Sequence, residues 1–187
     1  MKIIEPSATL VDEINPEEIL RKLEICGKVS RQSKLGDAEN FVRSIIKRGH
    51  ESVLEHVSLT FKIVCDRAIM AELTRHRLAS FTVESTRYVK YDELKTILPT
   101  CGVALNYIED VYKALLEDGK PPEIARSVLP LCTATTIYMT CNLREWRHVL
   151  KLRTAKAAHP QMRQIMNQIL AVFKEKLPVI VEDILED

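Results

Sequence analysis

The sequence predicts an α+β fold, a helix-rich single domain with a small sheet, and three observations lead there. The 187 residues suit one hydrophobic core, since domains commonly hold about 100–150 residues and often more. Stretches of helical period are interrupted by two stretches with the alternation and β-branching of strands. No internal repeat, low-complexity tract or composition break divides the chain, so one domain over 1–187 is expected.

Each element has a local cause. Asn15-Pro16-Glu17-Glu18 supplies a cap, a helix-favouring proline and an acidic first turn, and apolar Ile19, Leu20, Leu23 and Ile25 follow before Gly27. Asp37 caps a second helix through Phe41, Val42, Ile45 and Ile46 to Gly49. SLTFKIVCD then alternates as a half-buried strand, and RAIMAELTRHR returns to helical spacing. NYIEDVYKALLEDG and PPEIARSVL read as helices and TATTIYMTC as a β-branched strand. LREWRHVLKLRTAKAA resumes the helical period, and a last helix follows Pro160. Trp146 is expected to anchor a core or a subunit interface.

Composition excludes several function classes. Hydrophobic residues make up 46% and charged residues 28%, which suits a folded globular chain rather than a disordered one. Lysine and arginine number 27 against 26 acidic residues, so no global field draws nucleic acid, and none is expected as a partner. Cys26, Cys65, Cys101, Cys132 and Cys141 form no C-x-x-C pair and are odd in number, which argues against a disulfide framework or a thiolate zinc site. The opening MKIIEPSATLVDEIN lacks the apolar core of a signal peptide, and no run approaches the roughly 20 apolar residues of a membrane span. A cytoplasmic protein without membrane contact is expected.

Charge clusters locally. Between Lys120 and Arg163, Lys120, Arg126, Arg144, Arg147, Lys151, Arg153, Lys156 and Arg163 face only Glu123 and Glu145. A second group, Arg75, Arg77 and Arg87, lies in RHRLASFTVESTRY, a polar stretch between apolar runs. Guanidinium forks match phosphate oxygens, so such clusters suit phosphate-bearing ligands, with solvated helix faces as the plainer use. His50 and His56 stand six apart, which does not place them on one helix face as an i, i+4 metal pair would be, and no metal is expected. With only five glycines there is no G-x-G-x-x-G dinucleotide loop, which argues against a flavoprotein methyltransferase acting on RNA uracil.

GHESVLEH, followed by Arg75-His76-Arg77, seven residues and Ser85, then STRY, resembles the flavin-dependent thymidylate synthase family, whose most diagnostic pattern is RHR-x7-S. IARSVLPL around Arg126, Asn142-Leu143-Arg144 and LKLRTAKAAHPQMR around Arg153 follow in the family's order, so the resemblance covers roughly Ser44 to Leu177. It implies a helix-rich α+β single domain with a small central, mostly antiparallel sheet. It also implies a homotetramer with active sites between subunits. The implied reaction makes dTMP from dUMP, with methylenetetrahydrofolate as carbon donor and FAD, reduced by NADPH, as hydride source.

The resemblance also implies roles. Arg75, His76, Arg77, Ser52, Glu55, Asn142, Arg144 and His148 would hold FAD, where cations also stabilise the reduced ring. Glu72, Glu84, Ser85, Thr86, Arg87, Arg126 and Arg153 would surround dUMP, and His50 and Tyr88 would lie on the folate and nicotinamide side. Arg153 looks like the residue the family sets against the uracil ring, where a permanent cation polarises the carbonyl system; it is the catalytic candidate. Ser85 is the weaker catalytic candidate, because a serine nucleophile needs a base within hydrogen-bond reach. The chain departs from the family at Thr82-Val83, where many relatives carry Asn-Glu, at Glu72, where some have glutamine, and at Ala157-Ala158-His159, where H-A-Q is frequent. It is also shorter between the RY and A-R-x-x-L-P segments.

Overall fold

The computed structural model describes residues 1–97 and 102–184. In chain order the strands are β1 (Lys2–Ile3), β2 (Ser7–Leu10), β3 (Ser58–Asp66), β4 (Ala79–Val83), β5 (Lys95–Thr96) and β6 (Ala134–Asn142). The helices are α1 (Pro16–Lys28), α2 (Ala38–Lys47), α3 (Arg67–Leu73), α4 (Gly102–Glu117), α5 (Pro122–Ala125), α6 (Leu143–Arg153), α7 (Pro160–Lys176) and α8 (Pro178–Val181). Short 3₁₀ turns at Val29–Arg31, Glu51–His56 and Arg126–Val128 link them.

The central sheet has four antiparallel strands in the order β2-β3-β6-β4. β3 and β6 pair along their full length, from Ser58 opposite Asn142 to Asp66 opposite Ala134. Period-two alternation sends Leu59, Phe61, Ile63 and Cys65 of β3, with Ile137, Met139 and Cys141 of β6, into one buried face. Trp146, Val149 and Leu150 of α6 and Ile165, Met166, Ile169 and Phe173 of α7 belong to the same core. Trp146 is fully buried, edge-on to Phe61 at 5.0 Å, and donates its indole N–H to the Leu59 carbonyl at 3.0 Å, so it is the core anchor its sequence context suggests.

The caps follow the sequence. Asn15 accepts from the Glu17 and Glu18 N–H groups at the start of α1, and Asp37 accepts from Asn40 N–H at 2.9 Å to open α2. Gly49, at φ +73, adopts the left-handed conformation that ends α2 and frees the chain to enter the 51–56 turn. Gly27 is required for a different reason: a Cβ there would fall 2.5 Å from Phe41 Cζ, so a side chain would push α1 off α2.

Three expected helices are shorter than their periodicity suggests. RAIMAELTRHR stops at Leu73, because the chain must reverse before Ala79 joins β6, and Arg75–Arg77 form that reversal. α6 stops at Arg153, where the Thr154 hydroxyl takes the Leu150 carbonyl at 2.8 Å. PPEIARSVL divides into α5 and a 3₁₀ turn. β4 runs through Ala79-Ser80-Phe81-Thr82-Val83, inside the stretch noted only for its polarity. Cys101 lies outside the described residues; Cys26, Cys65, Cys132 and Cys141 are free, and burial pushes the Cys65 thiol up to about 12.

Candidate active site

The register of β4 fixes the plan of the site. Ala79 lies opposite Cys141 and Val83 opposite Ile137, and Glu84 N–H continues the ladder to the Thr136 carbonyl at 2.9 Å. At about 3.3 Å per residue, Ala79 and Glu84 stand about 17 Å apart. The Arg75–Arg77 turn therefore sits at one end of the strand and Ser85–Arg87 at the other.

At the first end, Asn142 closes β6 and caps α6, its Oδ1 accepting from Glu145 N–H at 2.9 Å. This start of α6 faces the 51–56 turn across a cleft of about 550 Å³, lined by Glu51, Glu55, Leu78, Asn142, Arg144, Glu145, Arg147, His148 and Lys151. Four of the expected flavin contacts, Glu55, Asn142, Arg144 and His148, thus share one cavity. Arg144 Nη1 donates to Glu55 Oε1 at 2.6 Å. Arg75 and Arg77 are exposed in the turn before Leu78, and among the described residues neither has an ion-pair partner.

His76, the middle residue of the turn, is buried. Its ring meets His148 edge-on at 6.1 Å, and its Nδ1 lies 3.6 Å from Glu145 Oε1. Its Nε2 accepts from Arg153 Nε–H at 3.1 Å, while Arg153 Nη1 donates to Glu72 Oε2 at 3.2 Å. Arg153, at the end of α6, is held from two directions. Burial, then the nearby Arg153 charge, pulls the His76 imidazole down to about 4, so it stays neutral at physiological pH.

The turn at 51–56 splits the remaining expected contacts. Glu51 and Glu55 look into the cleft, whereas His50 and Ser52 line a separate surface pocket with Arg31, Ser44 and Arg48. Within one chain, Ser52 and His50 are therefore not in the cavity of Glu55 and Arg144.

At the far end of β4, Arg126 Nη1 donates to the buried Thr86 hydroxyl at 3.3 Å, and Arg87 faces Glu123 at 3.5 Å. Ser85 Oγ accepts from Arg87 N–H at 3.3 Å. No base contacts that hydroxyl among the described residues, so the geometry suits binding rather than nucleophilic attack. Glu84 accepts from the Tyr91 hydroxyl at 2.5 Å, and Tyr88 is 77% exposed, stacked only under Arg87. The expected dUMP contacts thus fall into two groups, with Glu72 and Arg153 at one end and Ser85, Thr86, Arg87 and Arg126 at the other. His159, in the departing Ala157-Ala158-His159 segment, caps α7 by accepting from Gln161 N–H at 3.2 Å.

His76, Glu145 and His148 place ligand-type atoms within 4.8 Å of one another, a grouping that reading along the chain missed. Only the position of Glu145 three residues after an Asn cap is visible in the sequence; its approach to His76 is tertiary. Arginine only donates, so the His76 Nε2 lone pair is already used by Arg153 and the ring proton is on Nδ1. Neither nitrogen then has a lone pair free for a metal ion.

The cleft fits FAD by its donors. Arg144 and Asn142 supply donors at its wall, the exposed Arg75 and Arg77 lie in the turn that precedes the lining residue Leu78, and the cavity falls within the 300–1,000 Å³ typical of cofactor sites.

Residues 9–179 match the family model described as thymidylate synthase complementing protein. The flavin-dependent thymidylate synthase of Geobacter sulfurreducens is 36% identical over 161 residues, covering 79% of this chain and 69% of that protein. A probable flavin-dependent thymidylate synthase of Mycobacterium phage L5 is 34% identical over 170 residues, 78% of this chain and 70% of that protein. Among solved structures, the UMP/dUMP methylase PolB from Streptomyces cacaoi bound with 5-Br dUMP superposes with a TM-score of 0.82 at 25% identity, over 97% of this chain and 96% of that one. Sequence and fold agree, and the chain belongs to the flavin-dependent thymidylate synthase family.

Proposed function

We propose that the 187 residues act as one flavin-dependent thymidylate synthase domain, a methyltransferase that converts dUMP to dTMP. Methylenetetrahydrofolate serves as carbon donor, and FAD is replenished by NADPH. The observation that carries the reading is Arg153, fixed by His76 and Glu72 at the edge of the RHR turn. A guanidinium held at Nε and Nη1 leaves Nη2 without a partner among the described residues, a permanent cation that costs little reorganisation when charge develops on the uracil carbonyls.

Arg75, Arg77, Arg144 and Asn142 would hold FAD, with His76 and His148 beside it; bound there, FAD supplies the hydride. Arg144, paired with Glu55 in this structure, would supply a charge to the cofactor phosphates. Ser85, Thr86, Arg87 and Arg126 receive the nucleotide phosphate, Ser85 as a hydroxyl donor and the two arginines as charge.

The separation of Arg153 from Arg126 along β4 supports active sites shared between copies of the chain, each copy giving its RHR end to one site and its Ser85–Arg87 end to another. A homotetramer provides this. His50 and Tyr88 then serve the folate and nicotinamide side of such a shared site, and Ser52, outside the cleft of its own chain, would reach FAD in another copy's site. Free cysteines at Cys26, Cys65, Cys132 and Cys141 support a reducing, cytoplasmic setting.

A second substrate, UMP, is a further candidate because a UMP/dUMP methylase superposes on 97% of this chain. The test is tritium release from C5-labelled dUMP and UMP with FAD, NADPH and methylenetetrahydrofolate, each component omitted in turn. Flavin-dependent release from dUMP supports thymidylate chemistry, and release from UMP alone replaces dUMP with the ribonucleotide. No release from either overturns the proposed reaction.

A further inference from the structure

Glu145 is the third residue of α6, 7% exposed, and no sequence motif assigns it a role. An acid at this position ordinarily serves its own helix, by facing the N-terminal N–H groups or reaching back to the cap residue. Here the carboxylate instead faces His76 Nδ1 at 3.6 Å, and among the described residues no side chain or N–H donates a hydrogen bond to it.

The other nitrogen of His76 defines what that approach means. Nε2 accepts the Arg153 Nε–H at 3.1 Å, which requires the neutral tautomer protonated at Nδ1. A free imidazole samples both tautomers. In the other one, an Nε2–H would confront the Arg153 Nε–H, and Arg153 would lose one of the two contacts that hold it. A buried carboxylate beside Nδ1 stabilises a proton there by charge and needs only a small side-chain rotation to accept it as a hydrogen bond.

Building on the reading of Arg153 as the uracil-facing cation, we propose that Glu145 is a positioning residue. It holds His76 in the Nδ1–H tautomer and, through His76 Nε2, sets the orientation of Arg153. The relay runs from the start of α6 through the RHR turn to the end of the same helix, so the cap at Asn142 and the catalytic candidate at Arg153 are coupled through a residue of neither motif. The groups facing His76 are consistent with this division of labour. Arg153 and Glu145 meet its two nitrogens, His148 packs edge-on against the ring with centroids 6.1 Å apart, and Glu72 binds Arg153 rather than the imidazole. Burial holds the Glu145 carboxyl above the usual carboxylate range and keeps His76 neutral, so the pair is not an ion pair and acts by proton placement.

Two variants separate acceptor from mere bulk. Glu145→Met removes the acceptor at similar length, and Glu145→Gln keeps an amide oxygen able to accept from Nδ1–H. The flavin-loaded protein is labelled with ¹⁵N-histidine, His76 is assigned by its loss in His76→Gln, and the protonated nitrogen is read from the ¹⁵N shifts. The wild type is expected to carry the proton on Nδ1. Glu145→Met should show mixed tautomers and about a tenfold lower kcat, the size of one lost hydrogen bond. Glu145→Gln should recover most of both signals. A wild-type proton on Nε2, or a Met variant with unchanged tautomer or unchanged kcat, overturns the assignment. If Glu145→Met does not fold, the wild-type and Gln spectra still decide it. The tautomer is read without turnover, so a protein that bears the Nδ1 proton yet makes no dTMP refutes the proposed reaction and not the relay.

Discussion

The Arg147 guanidinium meets the Asp183 carboxylate through two parallel hydrogen bonds, Nη1 to Oδ1 at 2.6 Å and Nη2 to Oδ2 at 2.8 Å. Arg147 is 1% exposed and also donates to the Ile180 carbonyl and to Glu51 at 3.0 Å, and Lys151 joins Asp183 at 3.0 Å. The network fastens the turn after α8 to α6 and to the 51–56 turn, which carries Glu55 into the cleft at the start of α6. Sequence distance hides this: the segment past Ile180 belongs to no motif, yet it buttresses one wall of the site.

Asp183→Asn leaves a buried guanidinium short of its charge partner. Because Asp183 is itself 42% exposed and water compensates part of the loss, the expected destabilisation is about 1–3 kcal/mol rather than the full cost of breaking a buried pair. The Arg147 hydrogen bonds hold the Asp183 carboxyl well below the usual carboxylate range, so the unfolded chain binds the extra proton first. The contribution is full above about pH 4 and fades as pH falls below it. Urea unfolding at pH 7 and pH 3.5 checks the sign: the difference between wild type and variant should shrink at the lower pH.

His76 titrates with the opposite protonation consequence for catalysis but the same sign for stability. Its folded value of about 4 lies below the unfolded value of about 6.5, so the unfolded chain takes up the proton first as pH falls. Stability from this residue is complete above about pH 6.5 and is lost between there and pH 4. Thermal unfolding of wild type and His76→Gln across that window should converge as the pH drops. A constant gap would mean that His76 is already charged in the folded protein.

Arg153→Ala is expected to keep flavin bound while lowering dTMP formation by at least about 10²-fold, the scale of losing a preorganised electrostatic group. Arg153→Lys should rescue little, because the single nitrogen of an ammonium lacks the planar fork whose separate Nε and Nη1 reach His76 and Glu72. Flavin absorbance of the purified variants separates the two functions. Retention of most turnover in Arg153→Ala would remove the residue from the catalytic position.

Much of this was legible along the chain, for identifiable reasons. The Asn15 and Asp37 caps, the alternation of 58–66 and the β-branched run before Asn142 are local signals, and the structure uses each as expected. β4 was hidden because Ser80 and Thr82 are the exposed half of an alternation whose other half, Ala79, Phe81 and Val83, is short. The helices ending at Leu73 and Arg153 continue in periodicity but not in space, because β4 must pair with β6 after the first and Thr154 takes up the Leu150 carbonyl at the end of the second. Glu145 and Glu51 carry no local signature; their partners His76 and Arg147 are far away in sequence. The motif residues were found, but their division between two ends of β4 is a property of register and could not be read from spacing.

That division makes the last prediction. Arg126→Ala should raise the KM for dUMP by about 10–100-fold, the value of a charge-assisted hydrogen bond, with flavin affinity unchanged, since Arg126 lies at the strand end remote from the Arg75–Arg77 turn. Mixing it with Arg153→Ala then asks where each half-site comes from. If one active site takes Arg153 from one copy and Arg126 from another, subunits exchanged at equal amounts assemble about a quarter of their sites with both arginines intact, and dTMP formation returns to about that fraction. If one copy supplies both arginines, every site in the mixture lacks one of them and activity stays at the level of the parents. Recovery therefore measures the sharing directly. Failure to recover after verified exchange would require Ser85–Arg87 and Arg153 to reach one nucleotide along β4 of a single chain.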